Sequence, residues 1–176
     1  MGPQFPGKEW GEFEGYRRRL PHWRLDGATY FLTWRICAGQ HDLTPEERTF
    51  VAGALRFFDG TRYFLYAYVV MNDHVHVLVA PHADWKLEQL THTWKSFTTN
   101  QLQKGKAGAV PRKRALWQDE TFDRIVRDSS EFYEKLYYIL NNPFKRWPEI
   151  SVYQWTWAQD RLAAEVGLKV GHRGYG

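Results

Sequence analysis

The stretch YVVMNDHVHVLV, residues 68–79, carries the clearest structural signal in the chain. Asn72 and Asp73, a pair typical of tight turns, separate two runs that are rich in β-branched and aromatic residues. We therefore predict an antiparallel hairpin, with one strand over residues 63–71 and the next over residues 75–80.

The same stretch contains His74-Val75-His76. Side chains alternate between faces along a strand, so both imidazoles should project from one face while Val75 enters the opposite layer. Two imidazoles placed in this way can share one divalent cation. The pattern alone is weak evidence for a metal site and also fits a pair of surface histidines.

The segments around the hairpin alternate between strand and helix signals. We predict a strand over 28–36, a helix over 44–58, a helix over 87–103, short extended pieces over 116–118 and 121–126, and a helix from 128 to 141–143. This order predicts an α+β fold in which a mainly antiparallel sheet carries helices packed on it.

Two details of these helices are specific predictions. The last helix should end at Asn141-Asn142-Pro143, because proline disfavours helical backbone in the residue before it. Trp94 and Phe97 lie on the apolar side of the helix over 87–103, so both should belong to the core.

The length and composition indicate a single domain over residues 1–176, with 43% hydrophobic residues available for a core. Residues 1–15 should be a flexible lead-in, and about 158–176 a poorly ordered tail. Cys37 is the single cysteine, which excludes an internal disulfide. The sequence shows neither an apolar run of membrane-spanning length nor a signal peptide, so we expect a cytoplasmic protein without a membrane partner.

Basic residues are concentrated in one window. Residues 86–114 hold seven lysines and arginines and one acid, so this window exceeds the whole chain's net charge of +4. Such a local excess is typical of a phosphate-binding strip, although a solvated helix face and loop would have the same composition. A second cluster precedes the first strand. The candidate phosphate-binding residues in the two clusters are Arg17, Arg18, Arg19, Arg24, Lys95, Lys104, Lys106, Arg112, Lys113 and Arg114.

The last predicted helix carries a tyrosine away from its apolar face. On a helical projection, Tyr138 lies almost opposite Phe132 and Leu136, on a stripe with Asn142 one turn further on. A tyrosine in this position is suited to act as a nucleophile near a metal. Taken alone, the pattern also fits an ordinary amphipathic helix.

Together these pieces resemble the REP-associated tyrosine transposases, a branch of the single-tyrosine HUH transposases. The resemblance covers roughly residues 16–157 and rests on YRRRLPHWRLDGATYFLTWR (16–35), YVVMNDHVHVLV (68–79), LTHTWKSFT (90–98), LWQDETFDRIVRD (116–128) and YILNNPFK (138–145). It implies a ferredoxin-like HUH nuclease fold, dependence on Mg²⁺ or Mn²⁺, and cleavage of single-stranded DNA. By this resemblance His74 and His76 bind the metal, Asn142 completes the metal site, and Tyr138 is the nucleophile.

The turn before the histidines departs from the family pattern. It usually reads Met-Pro-Asn, whereas this chain has Met71-Asn72-Asp73. Asp73 places a carboxylate beside the histidine pair, where it could tune the cation or hold an imidazole in place.

The expected function is cleavage and rejoining of DNA through a covalent 5′-phosphotyrosine. The resemblance implies single-stranded DNA hairpins with a short flanking sequence as the partner, formed by palindromic repeats in bacterial genomes. Two alternatives stay open: a repeat-binding protein without turnover, and an RNA-processing nuclease of similar fold. The sequence is compatible with either a monomer or a dimer.

Overall fold

The computed structural model describes residues 27–106, 112 and 114–167. Its elements follow one another as β1 (Tyr30–Arg35), α1 (Pro45–Arg56), β2 (Tyr63–Val70), β3 (His74–Pro81), α2 (Leu87–Gln103), β4 (Phe122–Ile125), α3 (Ser129–Arg146), β5 (Thr156–Ala158) and α4 (Asp160–Glu165). None of the helices in this part of the chain combines the length and apolar character that a membrane span requires.

The strands form one antiparallel sheet in the order β4-β1-β3-β2-β5. The first four strands, with α1 and α2 between them, follow the β-α-β-β-α-β connection of ferredoxin-like folds. β5 extends the sheet beyond β2, and β3 occupies the centre. The predicted α+β fold with a mainly antiparallel sheet is confirmed.

The sheet separates two apolar cores. One face packs against α1 and α2 through residues such as Trp34, Val77 and Trp94. The other face packs against α3 and α4 through residues such as Phe31 and Leu78. Both faces are covered by apolar helices, which explains why β2 and β3 are nearly continuous hydrophobic runs.

The hairpin and the first two helices form where the sequence predicts them. β2 ends at Val70 and β3 begins at His74, so the turn lies between them. Helix α1 starts at a capping box, in which Thr44 accepts from the Glu47 amide and Glu47 accepts from the Thr44 amide.

Helix α3 is longer than predicted. It continues to Arg146 with Pro143 inside it, whereas the sequence predicts an end at residues 141–143. Pro143 cannot donate a backbone hydrogen bond, but its ring is buried. Burial of this ring favours continuation of the helix against the local preference of the chain.

Two further expectations are corrected. The segment after residue 158 is not irregular throughout, because α4 forms there and buries Leu162 and Ala163. Phe97 is 47% exposed rather than part of the core, and its ring stacks on Phe50 of α1 at a centroid distance of 5.7 Å. Residues 1–15 and 168–176, the rest of the predicted lead-in and tail, lie outside the described residues.

Candidate metal and nucleophile site

His74 and His76 lie on the central strand and point to the face covered by α3. Their neighbour two positions on, Leu78, belongs to the core of that face, whereas Val75 and Val77 belong to the opposite core. The two rings are 4.7 Å apart between centroids, and the residues are only 8% and 4% exposed. The predicted alternation is therefore present, and the histidines are not a solvated surface pair.

Each imidazole is held through its Nδ1 atom. Thr33 Oγ1 lies 2.7 Å from His76 Nδ1, because Thr33 of β1 is directly opposite His76 in the sheet. Asp73 Oδ1 lies 2.6 Å from His74 Nδ1, and Arg35 lies 3.5 Å from the other carboxylate oxygen. With both Nδ1 atoms engaged, the Nε2 atoms are the nitrogens that can bind a metal.

Burial keeps both rings neutral near pH 7. It lowers the pKa of His76 to about 3, and the positive charge of Arg35 lowers it further. Burial also lowers the pKa of His74, and this outweighs the opposing effect of Asp73. Burial alone would raise the pKa of Asp73, but its hydrogen bond with His74 and the positive charges of Arg35 and Arg146 hold it below its ordinary value. Neutral imidazoles are the form that binds metal.

Helix α3 brings Tyr138 and Asn142 to these histidines. Asn142 Nδ2 lies 3.4 Å from His76 Nε2, and the side chain is close enough to His74 to influence its pKa. The ring of Tyr138 stands edge-on to His76 at 5.1 Å between centroids and is 40% exposed. Tyr137, by contrast, packs against the core between the sheet and α3. The structure thus brings together the four residues that the sequence groups.

The donor set of two imidazoles and one amide can hold a divalent cation. In residues 27–106, 112 and 114–167, no group of three or more His, Cys, Asp or Glu side chains is placed to hold a metal ion. Two neutral imidazoles and the Asn142 amide would supply the protein ligands of a cation bound here.

Arg112 does not match its predicted role in DNA binding. Its side chain is buried and forms a two-pronged ion pair with Glu47, with Nε–Oε1 at 2.9 Å and Nη2–Oε2 at 2.7 Å. The remaining donors reach Gln40 and the backbone of His41 and Asp42. This guanidinium joins the loop before α1 to the segment before β4, so it is not available to a phosphate.

Lys95 is also engaged within the protein. Its Nζ donates to the backbone carbonyls of Gln118, Asp119 and Glu120 at 2.9–3.1 Å, and burial lowers its pKa. These bonds hold the segment before β4 against α2. The prediction of a phosphate contact at Lys95 is corrected for this reason.

The other predicted DNA contacts divide into two groups. Lys104, Lys106 and Arg114 are exposed, and they lie on the α1 and α2 side of the sheet, opposite the histidines. The remaining five lie outside the described residues, namely Arg17, Arg18, Arg19, Arg24 and Lys113.

Sequence reasoning missed the cations that lie beside the candidate site. Lys145 Nζ is 5.5 Å from the centre of the Tyr138 ring, and the charges of Arg35 and Arg146 act on Asp73. The spacing of seven residues between Tyr138 and Lys145, about two helical turns, could have identified Lys145. Arg35 and the partner role of Thr33 depend on strand register, which the local sequence does not define.

Comparison with known proteins identifies the family of the chain. The model of a family described as IS200-like transposases matches residues 48–142, more than half of the chain and including both histidines, Tyr138 and Asn142. The chain belongs to this family. This confirms the transposase family predicted from the sequence, and it places the chain among DNA-processing proteins.

A solved structure shows the same fold. The REP-associated tyrosine transposase bound to a REP hairpin superposes on this IS200-like transposase with a TM-score of 0.60. The two chains are 17% identical over 86% of this chain and 88% of the other. At that identity the comparison establishes the fold. No match to the chain was found among curated proteins.

Proposed function

We propose that the protein nicks and rejoins single-stranded DNA at hairpin-forming repeats, with Tyr138 as the nucleophile. The observation that carries the proposal is the convergence of the exposed Tyr138 with His74, His76 and Asn142 on one face of the sheet. Membership of the IS200-like transposases supports DNA as the substrate. The related solved protein, which binds a REP hairpin, supports hairpins as the partner.

The chemistry proceeds by nucleophilic substitution at phosphorus. The Tyr138 phenol loses its proton, and the phenolate oxygen forms a bond to the scissile phosphorus. The bond from phosphorus to the 3′ oxygen breaks, and that oxygen takes up a proton to become a 3′-hydroxyl. The DNA 5′ end is then joined to Tyr138, and attack by a 3′-hydroxyl on this phosphotyrosine reverses the step without ATP.

His74, His76 and Asn142 would hold the Mg²⁺ or Mn²⁺ ion that the reaction requires. When bound, this ion polarises the phosphate and offsets the charge on its non-bridging oxygens. Thr33 and Asp73 fix the orientation of the imidazoles. Lys145 places a positive charge beside the Tyr138 ring, where it favours approach of the DNA backbone.

Recognition of the hairpin involves additional basic residues. Lys104, Lys106, Lys113 and Arg114 are proposed to contact the phosphates of the stem, independently of its sequence. The N-terminal arginines are proposed to contact the single-stranded flank, because guanidinium groups can pair with guanine edges. They are Arg17, Arg18, Arg19 and Arg24.

A covalent-adduct assay tests the proposal. A hairpin oligonucleotide with a single-stranded flank, labelled at its 3′ end, is incubated with the protein and Mn²⁺ and resolved on a denaturing gel. We expect a labelled protein band with the native chain, none with Tyr138→Phe, and a normal band with Tyr137→Phe.

Other outcomes identify the alternatives. An adduct that persists in Tyr138→Phe and disappears in Tyr137→Phe would contradict the assigned nucleophile. Hairpin binding without any adduct would support a binding protein without turnover. Cleavage of the RNA version of the oligonucleotide in preference to DNA would support an RNA-processing nuclease.

A further inference from the structure

The catalytic face of the sheet is covered over only part of its width. Helix α3 packs over β2, β3 and β5, and every residue of β4 is exposed. Within the part of the chain that the structure describes, the face is therefore open at β4 and near Arg35 at the end of β1. We call this surface the open edge; it consists of Thr33, Arg35, Phe122 and Arg124.

Phe122 is the aromatic residue of the open edge. It pairs with Thr33, and Thr33 pairs with His76, so the three residues form one row across β4, β1 and β3. Directly paired residues of antiparallel strands have side chains on the same face. Phe122 therefore faces the same side as the metal-binding histidines, and its side chain is 60% exposed.

The distance along this row suits a nucleotide chain. Two strand spacings separate Phe122 from His76, about 10 Å. This is the length of about three stacked nucleotides of one DNA strand. A base close to a phosphate held at His76 and Asn142 can therefore reach the ring of Phe122.

The charges on the open edge complement a phosphate backbone. Arg35 and Arg124 flank the row on the same face, with side chains 56% and 43% exposed. Each also forms an ion pair, with Asp73 and Glu131 respectively. Both nevertheless remain open to solvent, so phosphates can approach them. An exposed aromatic ring between cations is a common arrangement in proteins that bind single-stranded nucleic acid.

We propose that the open edge binds the single-stranded DNA flank and that Phe122 stacks on one of its bases. This inference rests on the proposed function, because it assumes that DNA is cleaved at Tyr138. It assigns the single-stranded DNA that leaves this site to the open edge. A single exposed apolar residue needs no special explanation, but Phe122 is continuous with the candidate site through Thr33 and lies between two arginines.

The test compares two oligonucleotides of equal length: a poly-thymidine strand and the same backbone with every base removed. Binding is measured by fluorescence anisotropy without divalent metal, in a Tyr138→Phe background that cannot form an adduct. Because stacking on an aromatic ring is lost, we expect Phe122→Ala to weaken poly-thymidine binding about 5- to 100-fold. Binding of the abasic strand should stay unchanged.

Two variants serve as controls. Phe122→Tyr keeps an aromatic ring and should retain the native affinity. Ile125→Ala should have no effect, because Ile125 is similarly exposed at 54% but pairs with Tyr30 and faces the opposite side of β4. Unfolding in urea should be the same for all variants, since both substituted side chains are exposed.

Several results would overturn the inference. An equal loss of affinity for both oligonucleotides would show that Phe122 acts through the fold, and an unchanged affinity for poly-thymidine would show that it does not stack on a base. Neither result would contradict the proposed function, which the covalent-adduct assay tests separately. If the native chain bound neither oligonucleotide, the open edge would be wrong and the proposed function would lose its DNA partner as well.

Discussion

The two faces of the sheet use their polar side chains differently. On the face that packs against α1 and α2, two cations form hydrogen bonds within the protein. On the α3 face, Tyr138 and Asn142 converge with the two histidines. Arg112 is buried against Glu47, and Lys95 donates to three carbonyls. Across the sheet, Tyr138 is 40% exposed beside the histidines. The window of the sequence with the highest density of basic residues therefore lies on one face of the sheet, and the candidate metal and nucleophile site lies on the other.

The difference shows that charge density in a sequence does not locate a site by itself. A cation contributes to ligand binding only if the fold leaves some of its donors open to solvent. Arg112 satisfies its donors with Glu47, Gln40 and backbone carbonyls, so it contributes to folding. The histidines have the opposite arrangement, since their Nδ1 atoms are held and His76 Nε2 faces Asn142.

The largest effect should follow loss of the histidines on the α3 face. We expect His74→Ala or His76→Ala to reduce adduct formation more than about 100-fold, because each removes a proposed metal ligand. Asn142→Ala should be milder, since water can replace one ligand. His92→Ala is the matched control, because His92 is exposed on α2 on the other side of the sheet. Calorimetry with Mn²⁺ checks the assignment, and unchanged affinity in the double histidine variant would disprove it.

On the other face, loss of Arg112 should affect stability rather than DNA binding. Arg112→Met leaves the buried Glu47 carboxylate without its cation, and we expect the free energy of unfolding to fall by about 3–5 kcal/mol. Lys104→Met, an exposed change in the same window, should alter it by less than about 0.5 kcal/mol. Urea titration measures both. A large loss of hairpin affinity in folded Arg112→Met, without loss of stability, would instead restore the DNA-binding role.

The same ion pair gives a pH dependence. Burial raises the pKa of Glu47, but the hydrogen bonds and charge of Arg112 and the Thr44 amide outweigh it, so the folded-state pKa is below the ordinary 4.5. The stabilisation is complete above pH 4.5 and is lost as the pH falls through the folded-state pKa. We therefore expect the native chain to lose stability on acidification more steeply than Glu47→Gln. Parallel curves for the two proteins would contradict this contribution.

The local sequence predicts those features of the fold that depend on short-range patterns. The hairpin turn at Asn72-Asp73 and the bounds of α2 are local, and so is the position of Tyr138 away from the apolar face of α3. Pro143 shows the limit of such rules, because burial of its ring in the tertiary structure outweighs a local preference.

The partners of individual side chains are long-range and could not be predicted. Thr33 meets His76 across 43 positions, and Arg112 meets Glu47 across 65. Both depend on strand register and loop path, which no local pattern encodes. Phe122 was recognisable as part of an extended piece, but its face is defined only by pairing with Thr33.

A smaller effect should follow loss of the groups that orient the histidines. Thr33→Val removes the oxygen that holds His76 Nδ1, and we expect Mn²⁺ affinity to fall about 10- to 100-fold while the fold is retained. Thr33→Ser should restore it. Thr156→Val is the control, because Thr156 lies in the same row of the sheet but two strands from His76. Calorimetry distinguishes these variants, and equal affinities for Thr33→Val and the native chain would mean that the oxygen does not orient the ring.

The smallest effect should follow loss of a single lysine, and it tests which face of the sheet binds the single-stranded flank. Lys145 lies beside the Tyr138 ring, whereas Lys104 is exposed at the end of α2 on the opposite side. Each phosphate contact to single-stranded DNA contributes about 0.7 to the slope of log affinity against log salt concentration. In a Tyr138→Phe background, we expect Lys145→Met to weaken binding of the single-stranded flank a few-fold and to lower this slope by about 0.7. Lys104→Met should leave flank binding unchanged, and a stem-containing oligonucleotide then tests its predicted contact with the hairpin. If Lys104→Met lowered the slope for the flank while Lys145→Met did not, the strand would follow the α2 face, and the separation of the two faces drawn here would be wrong.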